Sequence, residues 1–186
     1  AKMQGSSVTL IEALPRLLNR CAPSGLAAVV ERRHRDEGVD IRLGRTATGF
    51  ERDCLRLDDG SQVPSGLIVV GIGVQANDAI AREAGIAADD GIFVDGHGRT
   101  TCPGVLAIGD VTRQRNPLSG RFERIETWSN AQKQAVAAAA ALMDPTSSPY
   151  DEVPWYWSDQ YDMRLQVAGL AVGGEEILRG DVSDGK

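Results

Sequence analysis

The chain has 186 residues, 42% hydrophobic and 25% charged, the profile of a globular protein large enough for one domain or parts of two. Lys and Arg total 20 against 26 for Asp and Glu, so the net charge of -6 argues against broad nucleic-acid binding, which needs a strongly basic surface. No apolar run approaches the ~20 residues of a membrane helix, and Ala1-Lys2-Met3-Gln4-Gly5 lacks the features of a signal peptide, so a cytoplasmic location is expected. Cys21, Cys54 and Cys102 are far apart, with no Cys-x-x-Cys pair, and His34 and His97 are the only histidines. Three reduced thiols and no metal site are expected.

In chain order, Ala1–Gln4 reads as the last turn of a helix stopped by Gly5. Val8-Thr9-Leu10-Ile11 reads as a buried strand ending at Glu12. The start therefore resembles the interior of a βαβ unit. Ser24–Glu37 reads as a helix capped by Ser24, with Leu26, Val29, Val30 and Arg33 on one face and Gly38 as its stop. Strands are predicted over Val39–Leu43, Ala47–Phe50, Cys54–Leu57 and Gln62–Val63, with an Asp58-Asp59-Gly60 turn before the last. Leu67-Ile68-Val69-Val70 reads as a short apolar strand that runs into Gly71-Ile72-Gly73.

A second α/β unit follows. Ala76–Ala84 reads as a helix ending at Gly85, and Ile92–Val94 and Val105–Ile108 read as strands. Val111–Arg124 reads as a loop rich in Arg, Pro and Gly. Asn130–Met143 is the clearest helix, Ala-rich and capped by Ser129 or Asn130. Asp144–Pro154 holds three prolines and reads as a linker. Trp155-Tyr156-Trp157 then opens an aromatic segment, and Arg164–Leu170 and Glu175–Arg179 alternate like antiparallel strands.

Several residues are candidates for chemistry. Glu12, at a strand end, suits the ribose hydroxyls of a dinucleotide and would repel a 2′-phosphate; it is equally a solvated strand-end carboxylate. Arg16 and Arg20 follow closely, and arginine binds a 2′-phosphate readily. Gly71 and Gly73 allow close ligand approach, or make a plain turn. Thr100-Thr101-Cys102-Pro103-Gly104-Val105-Leu106-Ala107-Ile108-Gly109-Asp110 delivers a glycine and a carboxylate at a strand end, where ligands of open α/β sheets bind. Trp128, Trp155 and Trp157 are the only tryptophans, suited to covering a flavin or nicotinamide ring or to packing in a core or a domain interface. Arg113, Arg115, Arg121 and Arg124 crowd one loop of an acidic chain, where they either steer an acidic partner or form a solvated surface.

The Thr100–Asp110 string resembles the second FAD fingerprint of the pyridine nucleotide-disulfide reductase superfamily. Three further strings narrow the likeness: Arg113-Gln114-Arg115-Asn116-Pro117, Arg124-Ile125-Glu126-Thr127-Trp128-Ser129-Asn130-Ala131-Gln132 and Pro154-Trp155-Tyr156-Trp157-Ser158-Asp159-Gln160. These are similar to the FAD-dependent NADH:ferredoxin reductases of bacterial oxygenase systems, biphenyl-type dioxygenases above all. The resemblance covers essentially the whole chain. It implies an α/β fold with parts of two Rossmann-like FAD/NAD(P)-binding domains and the start of an α+β C-terminal domain. Residues 1–74 are then the later part of the NAD domain, 75–154 the second half of the FAD domain and 155–186 the start of the C-terminal domain.

The resemblance implies FAD and NAD as cofactors and a [2Fe–2S], Rieske-type ferredoxin as partner. It places Gly109, Asp110, Trp128 and Trp157 at FAD, and Glu12, Arg20, Ile72, Gly73, Val74 and Glu126 at NAD. Arg113, Arg115 and Trp157 face the ferredoxin. No side chain is expected to act as a catalytic acid, base or nucleophile, because the cofactor carries the hydride chemistry. The alternatives are an NADH oxidase or peroxidase of the same fold, or a non-catalytic interaction module. Both Gly-rich phosphate loops are missing, so this stretch alone is expected to be inactive.

Overall fold

A computed structural model describes residues 5–170, 174–177, 179 and 180. They divide into two compact units, one from Ala1–Gly71 and Ala171–Lys186, the other from Ile72–Leu170.

The first unit starts with β1 (Thr9–Glu12), α1 (Ser24–Asp36) and β2 (Asp40–Leu43). β1 and β2 pair in parallel, Thr9 opposite Asp40 and Glu12 opposite Leu43. Parallel neighbours need a long crossover, and α1 supplies it. Leu17, Val39 and Ile41 form the core beneath, with Val8, Leu10, Leu18 and Leu43 packed on it. α1 turns Ala27 and Val30 inward, and Gly38 ends it at φ +77°. A left-handed residue there costs glycine nothing. β3 (Ala47–Glu51), β4 (Cys54–Leu57) and β5 (Gln62–Pro64) make an antiparallel sheet of three strands. The predicted Asp58-Asp59-Gly60 turn joins the last two, closed by the Gly60 N–H donating to the Leu57 carbonyl.

Three expectations for this unit are corrected. Ser24 is the first helical residue and Pro23 holds the cap position; the Ser24 hydroxyl donates to Glu176 instead, at 2.6 Å. Leu67–Val70 forms no strand, and Leu67 and Val69 are 83% and 86% exposed. Apolar composition favours burial, but a strand exists only through its neighbours, and no described residue pairs with this one. Glu175–Ile177 and Arg179 are not in a strand either; Glu176 accepts from the Ser24 hydroxyl and the Gly25 N–H. Those bonds hold its carboxyl below the usual carboxylate range, the Ser24 bond most strongly. Gly5 has φ +84°, as a helix stop requires, while Ala1–Gln4 lie outside the described residues.

The second unit holds α2 (Ala79–Glu83), β6 (Ile92–Phe93), β7 (Thr112–Arg115), β8 (Phe122–Glu123), α3 (Trp128–Met143), β9 (Trp155–Gln160) and β10 (Met163–Ala168). Its core is Ala81, Ile86, Ile92 and Val94, flanked by Ala88, Cys102, Ala107 and Val111. α2 starts three residues later than expected because the Asp78 carboxylate is drawn inward, accepting from the Gly91 N–H and pairing with Arg82. β6 lies parallel to β7, and β7 antiparallel to β8. The expected loop Val111–Arg124 is thus mostly a β-hairpin.

Val105–Ile108, expected as a strand, makes a single bridge, Leu106 to Arg99, before a tight helical turn at Gly109–Val111. α3 begins at Trp128, and its cap is Thr127, whose hydroxyl oxygen accepts from the Asn130 N–H at 3.1 Å, not Ser129 or Asn130. The Pro-rich linker carries neither helix nor strand and is tied down by the Tyr150 N–H donating to the Gly96 carbonyl. β9 and β10 form an antiparallel hairpin with Trp155 opposite Ala168. None of the three cysteines is in a disulfide with a described residue. No described helix is long and apolar enough to cross a membrane.

Candidate functional site

The Gly109-Asp110 turn is built from below by a buried polar network. Thr112 and Gln114 alternate along β7, so both side chains point to one face. Asn130 and Gln134 stand one turn apart on α3 and face the same way. All four are 5% exposed or less. Gln134 Oε1 accepts from the Gly109 N–H at 2.6 Å, and Gln134 Nε2 donates to Gln114 Oε1 at 2.7 Å. Gln114 Nε2 donates to Asn130 Oδ1 at 2.6 Å, and Asn130 Nδ2 donates to the Ile125 carbonyl at 3.0 Å. The Thr112 hydroxyl donates to the Gly109 carbonyl at 2.8 Å. Both backbone groups of Gly109 are therefore fixed by side chains.

Gly109 has φ +77°, and a Cβ there would stand 3.5 Å from Ala131 on α3. The next carboxylate, Asp110, is exposed and makes no hydrogen bond or ion pair with a described residue. A rigid turn thus presents one free acceptor beside the first turn of α3. This fits the hydroxyls of a sugar-alcohol chain, and so fits FAD.

Trp128 opens α3 and is 64% exposed; Trp157 on β9 is 45% exposed. Their rings meet edge to face at 5.9 Å, and Trp155 stacks on Trp157 at 5.0 Å. The exposure of Trp128 and Trp157 sets aside the reading of these two rings as core. Flat aromatic surface of this kind suits a planar ring system.

Arg124 joins two other candidates. Its Nη2 pairs with Glu126 at 2.9 Å and Asp90 at 3.5 Å and donates to the Val74 carbonyl at 3.3 Å. Val74 and Glu126 are so brought together, while Ile72 and Val74 expose their side chains and Gly73 turns the chain at φ +92°. Arg113 is occupied within its own unit: it donates to Asp89 and to the Phe122 carbonyl and lies 5.5 Å from the Phe93 ring centre. Arg115 is exposed and donates to the Gly120 carbonyl, and Arg121 is exposed.

In the first unit, one oxygen of Glu12 at the end of β1 accepts from the Leu14 N–H at 2.9 Å. The second oxygen makes no hydrogen bond with a described residue. Arg16 is spent on its own loop, donating to the Asn19 and Ala22 carbonyls. Arg20 is exposed; burial pushes the neighbouring Cys21 thiol up, against the pull of Arg20 and Arg16. A carboxylate at a strand end fits the adenosine ribose of a dinucleotide.

Sequence reasoning missed the buried set Thr112, Gln114, Asn130 and Gln134 and the inward-facing Asp78, and it read Arg124 as a surface arginine where the structure leaves its side chain mostly buried. Polar residues spaced two apart at 112, 114 and 116, and four apart at 130 and 134, with Ala138 continuing the row, were the available signal.

Comparison with known proteins now places the chain. Residues 155–186 match the reductase C-terminal family. A p-cumate 2,3-dioxygenase system ferredoxin–NAD(+) reductase component from Pseudomonas putida is 43% identical over 182 residues, covering 97% of this chain and 44% of that protein. Among solved structures, the ferredoxin reductase for the CYP199A2 system from Rhodopseudomonas palustris superposes with a TM-score of 0.93 at 34% identity, covering 98% of this chain and 46% of that one. Putidaredoxin reductase in its covalent complex with putidaredoxin gives a TM-score of 0.88 at 37% identity, with 95% and 44% covered. The chain spans about half the length of these relatives. The pyridine nucleotide-disulphide oxidoreductase profile matches residues 1–135, and the chain belongs to that family.

Proposed function

We propose that this chain is a stretch of a flavoprotein reductase that passes electrons from NADH through FAD to a [2Fe–2S] ferredoxin, Rieske-type, in the cytoplasm. The ferredoxin serves an aromatic-ring dioxygenase or a related oxygenase. The observation that carries this reading is the Gly109-Asp110 turn, a free carboxylate on a backbone clamped by Gln134 and Thr112. The names of the relatives and of the solved complex support the choice of donor and acceptor. In this reading residues 1–74 belong to the NAD domain, 75–154 to the FAD domain and 155–186 to the C-terminal domain.

FAD, when bound, supplies hydride acceptance and one-electron release. The residues of this chain bind and orient. Asp110 accepts from a ribityl hydroxyl, with Gly109 setting its position. The backbone at Trp128 borders the flavin. Glu12 and Arg20 take the adenosine ribose, and the Glu12 carboxylate disfavours a 2′-phosphate. Ile72, Gly73 and Val74 line the nicotinamide path with Glu126 at its amide. Trp157 borders the site where the ferredoxin approaches, and Arg115 and Arg113 sit on the partner side. No proton transfer by a side chain is required.

The test is a visible absorption spectrum of the full-length protein, with its intact mass measured from the same sample. Flavin bands that bleach with NADH support the reading; a colourless protein that takes up no FAD overturns it. The 186-residue chain alone is expected to transfer no hydride. A second expectation concerns Trp157→Ala in the full-length protein. It should slow electron delivery to ferredoxin more than it slows flavin reduction, read by stopped-flow on the two half-reactions. Equal slowing of both would remove Trp157 from the acceptor side.

A further inference from the structure

Arg124 stands apart from the other arginines of its segment. Its side chain is 15% exposed, and all its partners gather on one nitrogen: the carboxylates of Glu126 and Asp90 and the carbonyl of Val74. The other terminal nitrogen, Nη1, is buried and has no hydrogen-bond partner among the described residues. A stability-driven design would satisfy that donor or avoid burying it. The fold also makes room for this side chain. A Cβ on Gly91 would stand 3.1 Å from Arg124 Cδ and 3.2 Å from Cγ, and Gly91 has φ +123°. Its N–H is held in turn by the buried carboxylate of Asp78.

We infer that Arg124 is a positioning residue for hydride transfer, fixing the Glu126 carboxylate and the Ile72–Val74 backbone in one frame. The inference rests on the proposed roles of Glu126 and Val74 at the nicotinamide. The guanidinium suits the task because its charge and long reach let one nitrogen, Nη2, meet two carboxylates and a carbonyl at once. A carboxylate and a peptide from segments 52 positions apart, Val74 and Glu126, are held by one group. Without it both remain in the chain, but this tie between them is lost. Misplacement of about 1 Å in such a frame lowers rates by up to ~100-fold.

The experiment uses the full-length protein loaded with FAD, and follows flavin reduction by stopped-flow at saturating NADH. Arg124→Gln is expected to slow reduction about tenfold or more, with a larger isotope effect for NADH deuterated at the transferred position. Glu126→Gln should lower the rate by a similar factor, and the double variant should be no slower than the slower single variant, because both changes break one unit. Arg124→Lys should fall between, since an ammonium keeps the charge but on a shorter side chain. Arg124→Gln reducing within about twofold of the parent, or losses that multiply in the double variant, overturns the inference. If the parent itself is not bleached by NADH, the functional reading falls and this inference with it; a bleached parent with an unaffected Arg124→Gln sinks the inference alone.

Discussion

Gln134→Leu is expected to destabilise the Ile72–Leu170 unit by about 3 kcal/mol or more, because it strands several buried polar groups at once. The leucine fills the space but accepts nothing from the Gly109 N–H and gives nothing to Gln114. It also removes the amide that bonds with the Thr112 hydroxyl. Each buried group left without a partner costs about 1–3 kcal/mol. For a chain of this size that corresponds to a fall of roughly 6–12 °C in melting temperature. Gln132→Leu, on the exposed side of the same helix, is the control and should change stability by no more than about 0.5 kcal/mol. Thermal melts followed by circular dichroism make the comparison. Similar melting temperatures for the two variants would show that the network carries little weight.

Asp110→Ala is expected to weaken FAD binding roughly ten- to hundredfold in the full-length protein. A hydrogen bond to a charged acceptor is worth about 1.5–3 kcal/mol, and about 1.4 kcal/mol is tenfold in affinity. The carboxylate has no described partner to lose, so the fold itself should be little affected. That separates this variant from Gln134→Leu, which loosens the turn and weakens FAD binding by a different route. Asp110→Asn keeps an acceptor oxygen and gives up the charge, so it should lie between parent and alanine. Quenching of FAD fluorescence on titration into apoprotein gives the affinities. An unchanged affinity for Asp110→Ala would take the ribityl role away from this residue.

The elements with one apolar face were legible in the sequence. β1, β2, β4 and α1 lie within a residue of their expected limits, because residues such as Val30 and Leu57 mark an inward face at the right period. β7 was not legible. Its outward positions are the half-buried Arg113 and the exposed Arg115 and its inward positions are Thr112 and Gln114, so both faces are polar and the period-2 alternation carries no hydrophobic contrast. Leu67–Val70 failed in the opposite way. Its composition calls for burial, but burial comes from neighbours, and composition cannot say whether they are within reach.

The candidate site shows the same division. Asp110 and the tryptophans stand out as residue types at strand and helix ends, and the resemblance to ferredoxin reductases drew attention to them. What holds them is not visible as a motif. The bonds from Gln134 to Gly109 and from Arg124 to Val74 span 25 and 50 positions, and only tertiary structure brings such pairs together. Arg113 reads as a surface charge in the sequence, yet Asp89, Phe93 and Phe122 occupy it.

The most direct test of the account is anaerobic addition of NADH to the full-length, FAD-loaded protein together with a [2Fe–2S] ferredoxin, following the flavin and iron–sulfur bands separately. Bleaching of the flavin followed by reduction of the ferredoxin, with NADH preferred over NADPH, is the predicted result. Flavin that is reduced but passes its electrons only to oxygen or peroxide, leaving the ferredoxin oxidised, would contradict it.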